Sequence, residues 1–75
     1  MRVDPYRAYS TRQEEDGRWS IVLCKRTTKR CVVSVLLLCD MQEEAEKVAR
    51  ASAKLAGMRY ISYQERESWK EVVYD

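Results

Sequence analysis

The chain has no histidine and no phenylalanine, and only one proline, two glycines and three cysteines in 75 residues. Without histidine there is no imidazole to serve as a general base, to activate a serine or cysteine nucleophile, or to ligate zinc. The scarcity of glycine and proline excludes a linker. A chain that is 45% hydrophobic and 35% charged is too apolar to be disordered. The cysteines, Cys24, Cys31 and Cys39, are odd in number and lie inside apolar runs. A secreted disulfide scaffold needs an even and denser set. They read as reduced thiols packed like small hydrophobes, which implies a cytoplasmic protein. Their spacing matches no zinc pattern, and a fourth ligand is missing, so neither a metal nor a cofactor is expected. Cys24, although it stands beside Lys25, reads as a structural thiol. With no glycine-rich phosphate loop, paired catalytic carboxylate or activated nucleophile, no enzyme is expected.

The first ten residues, MRVDPYRAYS, lack the apolar core of a secretory leader. The longest apolar run, Cys31 to Cys39, is interrupted by Ser34 and is about half the ~20 residues a membrane helix needs. No membrane association is expected. The net charge of +2 does not by itself argue for nucleic acid. Its distribution is uneven. Residues 1–39 hold eight Lys/Arg against four Asp/Glu, and residues 40–75 hold six against eight.

The order read from the pattern is β-β-β-α-β-β, an α+β fold. It comprises a small antiparallel sheet with one helix on one face, in a single domain over residues 1–75. Tyr6 to Arg12 reads as a first strand, and Asp16-Gly17 as the turn after it. Arg18 to Arg26 and Arg30 to Leu38 read as a hairpin closed by Thr27, Thr28 and Lys29. That loop sets Arg26 opposite Arg30, Trp19 opposite Leu37, Ile21 opposite Val35 and Leu23 opposite Val33. Burial selects this register over a shorter loop that would put Cys24 opposite Cys31, so no Cys24–Cys31 disulfide is expected.

Asp40 to Ala56 reads as the helix, with Asp40 as N-cap, Glu43 at the capping-box position and Gly57 at the C-terminal stop. Met41, Ala45, Val48, Ala49, Ser52, Leu55 and Ala56 recur on its inner face. Trp19, Ile21, Leu23, Val33, Val35 and Leu37 are expected to pack beneath Val48, Ala49, Ser52 and Leu55. Met58 to Gln64 reads as a strand. Trp69 to Tyr74 fits either a last strand, favoured by Val72-Val73-Tyr74, or a short helix.

The series Gly17-Arg18-Trp19, then an apolar strand, then Glu44-Ala45, Ala49, Ala53 and Gly57, resembles small bacterial and phage proteins of ββαββ type. These include a domain family of unknown function, and some small phage anti-CRISPR proteins are similar in size and element order. The resemblance spans most of the chain. It implies a non-catalytic binding protein and carries over no functional residue. Residues 6–57 are also similar in layout to integrase arm-binding domains, which insert a three-stranded sheet into the DNA major groove. Double-stranded-RNA-binding domains end in the same element order. Their helix begins with lysines, where this chain has Gln42-Glu43-Glu44.

The expected function is that of an inhibitor or adaptor, encoded by a phage or mobile element. It would block a host nucleoprotein complex or enzyme through surface contacts in the host cytoplasm. The alternative is a sheet-type DNA-binding module. Both draw on the run Lys25-Arg26-Thr27-Thr28-Lys29-Arg30, whose cations and hydroxyls suit phosphate or carboxylate. Arg26 and Arg30 offer bidentate forks, while Lys25 and Lys29 add point charge. Tyr63 and Trp69 are the aromatic candidates for a partner surface. A strip of Val22, Val32, Leu36 and Leu38, with Cys24, suggests a homodimer. The acidic runs Glu14-Glu15-Asp16 and Glu65-x-Glu67 read as solvated loops.

Overall fold

A computed structural model describes residues 6–26 and 31–71. Its elements are β1 (Arg7–Gln13), β2 (Trp19–Arg26), β3 (Cys31–Cys39), α1 (Gln42–Ala56), β4 (Arg59–Tyr60) and α2 (Tyr63–Glu71). The strands form one sheet in the order β3-β2-β1-β4. The α+β class is as expected, but three details of the architecture differ.

First, the sheet is mixed. β1 pairs with β2, and β2 with β3, in antiparallel fashion, but β4 runs parallel to β1, with Ala8 opposite Arg59 and Tyr9 opposite Tyr60. The cause is α1. A helix that carries the chain back along the sheet returns it parallel to the strand it left. The connection also crosses from one edge, β3, to the other, β4. The strand expected over Met58 to Gln64 shrinks to two residues.

Second, Tyr63–Glu71 is helical, so the described residues hold two helices. Of the strand expected over Trp69 to Tyr74, residues 72–74 lie outside the described residues. Ser62 starts α2: its Oγ accepts a hydrogen bond from the Glu65 N–H at 3.2 Å. Ser62-x-x-Glu65 is a capping-box sequence. Tyr63, Arg66 and Trp69, three residues apart, then line one side of the helix.

Third, the β2–β3 register differs. Trp19 faces Cys39, Ile21 faces Leu37, Val22 faces Val35, Leu23 faces Ser34 and Arg26 faces Cys31. The shift between Ile21 and Val22 leaves Leu36 as an extra residue in β3, a β-bulge. Cys24 faces Val33, and none of the three cysteines forms a disulfide. Residues 27–30, and with them the expected loop of Thr27, Thr28 and Lys29 and the Arg26–Arg30 pairing, lie outside the described residues.

The turn after β1 follows the expectation. Gly17 takes φ 89° and donates its N–H to the Glu14 carbonyl at 3.0 Å. At the start of α1, Met41 rather than Asp40 occupies the N-cap, and no side chain caps it. Glu43 and Glu44 still oppose the positive end of the helix dipole. Gly57, at φ 68°, donates to the Lys54 carbonyl, and Met58 donates to the Ala53 carbonyl at 2.8 Å. This is a Schellman stop, which needs the left-handed conformation glycine accepts.

Alternation along the strands divides the core between two faces. On one face Ile21, Cys39, Ala45 and Ala49 are buried together, with Tyr9, Trp19, Val48 and Tyr60 at the margin. On the other, Ala8, Val22, Cys24, Ile61 and Trp69 form a second cluster, with Cys31 and Val33 against it. The buried side of α1 is Ala45, Ala49 and Ala53, so the helix sits close on the sheet. Leu55 and Met41, expected inside, are exposed. Val33 serves the opposite face, and Val35 and Leu37 are exposed. The bulge and the absence of helix cover over β3 account for the departures in β3, and the rotation of α1 onto its alanine side accounts for Leu55.

Candidate interaction surface

β3 is an edge strand, and neither helix covers it. α1 lies across β1, β2 and β4 and meets β3 mainly at Cys39, while α2 lies against β1. The consequence is that Val32 (40%), Val35 (47%), Leu36 (50%), Leu37 (53%) and Leu38 (43%) are all exposed. Among the described residues these five make up most of the exposed large aliphatics. The bulge spreads them over both faces. Val32 and Leu37 share the α1 side with Ile21, and Val35 and Leu38 share the α2 side with Val22.

Natural edge strands carry lysines, prolines or inward-pointing charges that prevent pairing with other chains. The nine residues of β3, CVVSVLLLC, carry neither charge nor proline. A continuous apolar run of this kind is the signature of a strand covered on both faces. Here only Cys31, Val33 and Cys39 are even partly covered, and no described strand pairs with the outer edge.

Of the strip read from sequence, Val32, Leu36 and Leu38 belong to this surface. Val22 does not: it is fully buried beneath α2, as is Cys24. Val35 and Leu37, expected beneath the helix, also belong to this surface.

The basic run presents differently. Lys25 is exposed at the end of β2. The Arg26 guanidinium lies over two rings, 6.0 Å from the centroid of Tyr6 and 5.5 Å from that of Trp69. Arg59 approaches the Trp69 ring too, at 5.9 Å. Arg26 is thus held by aromatic faces instead of projecting as a free fork. Lys29 and Arg30 lie outside the described residues. Trp69 is 5% exposed and belongs to the core. Tyr63 is half-buried, edge-on to Trp19 with ring centroids 5.4 Å apart.

The acidic loop is internally paired. Arg12 grips Glu14 with Nε at 2.7 Å and Nη2 at 3.3 Å, and the Ser20 hydroxyl donates to the same carboxylate at 2.9 Å. The Arg12 and Ser20 hydrogen bonds hold the Glu14 carboxyl below its usual range. Asp16 is held down likewise by the Arg18 N–H and guanidinium, at 3.0 and 2.8 Å. These carboxylates serve the turn and do not form an acceptor for an outside cation. Among the described residues no group of three cysteines or carboxylates converges on a metal position. Burial pushes the Cys39 thiol up, away from the reactive thiolate.

Sequence reasoning missed Arg66. Its side chain is 1% exposed, its Nε donates to the Thr11 carbonyl at 3.2 Å, and its Nη2 pairs with Glu67 at 2.7 Å. Arg66, Arg12, Gln13, Trp19, Gln42, Tyr63 and Glu67 line a cleft of about 540 Å³. No described helix is long and apolar enough to cross a membrane. Comparison with protein-family models, with curated proteins and with solved structures finds no match.

Proposed function

We propose that this protein is a small non-enzymatic binding module, an inhibitor or adaptor, that works by joining its β3 edge to a partner protein. One observation carries the reading: a nine-residue uncharged edge strand with five large aliphatic side chains 40–53% exposed. Strand addition supplies both kinds of contact such a surface offers. Main-chain hydrogen bonds run along the open edge, and apolar side chains pack above and below it. Arg26, engaged with Tyr6 and Trp69, gives less support to the alternative of a DNA-reading hairpin.

The test compares partner capture from a lysate of the source cells by three immobilised proteins. These are the wild type, Val35→Lys/Leu37→Lys and Leu55→Lys. Leu55 is 90% exposed on α1 and controls for general stickiness. A discrete protein retained by wild type and Leu55→Lys, and lost with the β3 variant, is expected. Equal retention by all three, or retention of nucleic acid alone, would overturn the reading.

A further inference from the structure

We propose that in the free protein the β3 edge is closed by β3 of a second copy. The two strands run antiparallel about a two-fold axis near Val35 and join two four-stranded sheets into one of eight. The inference rests on the reading of β3 as the interaction surface and adds how that surface is regulated: a partner must displace the second copy to reach it.

Three features select a second copy as the occupant. The first is self-complementarity. A two-fold interface brings a patch against itself, so any charge on it near the axis meets its own like. β3 holds no charge over its nine residues, a length of about 30 Å at the usual strand rise.

The second feature is charge complementarity at the ends. Lys25 and Arg26 lie beside the start of β3, opposite Val32 and Cys31. The chain after β3 is acidic, with Asp40, Glu43 and Glu44. Antiparallel pairing sets the basic end of each copy beside the acidic end of the other, twice over. Parallel pairing would set like beside like.

The third is area. Five half-exposed aliphatic side chains make a strip on the scale of roughly 300–600 Å² that marks interaction sites. Two such strips, fully covered, amount to roughly 600–1,200 Å² in total, whose upper limit meets the lower end of specific interfaces.

Sedimentation of the full chain over a micromolar concentration series reads the association directly, and hydrogen exchange reads its location. Wild type is expected to sediment as two chains, with β3 amides that exchange faster on dilution. Val35→Lys/Leu37→Lys is expected to sediment as one chain. Its circular dichroism and melt show whether it remains folded. Asp40→Lys/Glu43→Lys lies off the strand and leaves the apolar strip intact. It is expected to weaken association several-fold by setting cations at the basic end of the other copy.

A single-chain wild type would overturn the proposal, as would a dimer indifferent to both variants or one whose β3 amides do not respond to dilution. If wild type is monomeric but loses its partner with the β3 variant, the self-pairing is wrong and the functional reading survives. If the β3 variant dissociates the dimer and still captures the partner, the functional reading is wrong and the self-pairing survives.

Discussion

Arg66 is the largest fully buried side chain among the described residues, in a place where a hydrophobe would be expected. Its guanidinium ties α2 to the central strand through the Thr11 carbonyl and pairs with Glu67, which is half exposed. Its Nη1 has no hydrogen-bond partner. A buried cation left partly unsatisfied loses much of the stabilisation that its hydrogen bonds supply, while its three-carbon stem still fills space. The two contributions separate by substitution. Arg66→Ala removes both and is expected to cost about 2–5 kcal/mol, as truncating a large buried side chain does. Arg66→Met keeps the volume and removes the desolvated charge, and is expected to cost less than half as much. Chemical denaturation of both variants measures the difference. Equal losses would show that the hydrogen bond to Thr11, and not the packed stem, fixes α2.

At the scale of elements, β3 and α2 depart most from their sequence patterns, for different reasons. β3 has no alternation, so its apolar residues are equally compatible with either face and with several registers. Only the polar Ser34 discriminates between them. In the structure Ser34 faces Leu23 on the α1 side, where it is exposed, so the hydroxyl carries no burial cost there and the bulge at Leu36 brings Ile21 opposite Leu37. A bulge leaves no trace in a run of valines and leucines.

The helix starts offer the opposite lesson. Asp40-x-x-Glu43 reads as a capping box and is not used, whereas Ser62-x-x-Glu65 has the same spacing and does start a helix. The second was legible and was overlooked beside the β-branched tail. β1, β2, the Gly17 turn, most of α1 and its Gly57 stop were legible because alternation, helical spacing and glycine each have a local cause.

The revised faces reverse one expectation about stability. Leu37, expected in the core, is 53% exposed, and Ile21 opposite it is 2% exposed. Ile21→Ala is therefore expected to cost about 2–5 kcal/mol, and Leu37→Ala under about 1 kcal/mol. Thermal melts at low protein concentration, where self-association is absent, compare them. A larger loss at Leu37 would return it to the core and restore the simple three-residue hairpin.

Across the whole molecule the apolar residues are distributed unevenly. The buried set is rich in small side chains (Ala8, Ser10, Ser20, Cys24, Ala45, Ala49 and Ala53), while the long aliphatic run of β3 lies outside. A domain this small has little margin when its core is built from such residues. Its two half-cores, one on each face, also share a single layer of strands. Small domains usually unfold in one step, but a helix held by few contacts can open alone. For α2 the sheet argues against separate opening. Trp69 packs on Ala8, Val22 and Cys24 from β1 and β2, and Arg66 bonds the Thr11 carbonyl of β1.

The tryptophans report each side separately. Trp19 lies at the α1-side cluster and Trp69 inside the α2-side one. Fluorescence of Trp69→Phe follows the first, and that of Trp19→Phe follows the second. Each is compared with its own far-ultraviolet circular dichroism, so that a shift in midpoint caused by the substitution cancels. Coincident transitions are expected in both variants. If the Trp69 signal moves ahead of the sheet signal in Trp19→Phe, α2 is an independently opening unit. The buried arginine would then be insufficient to tie it to β1.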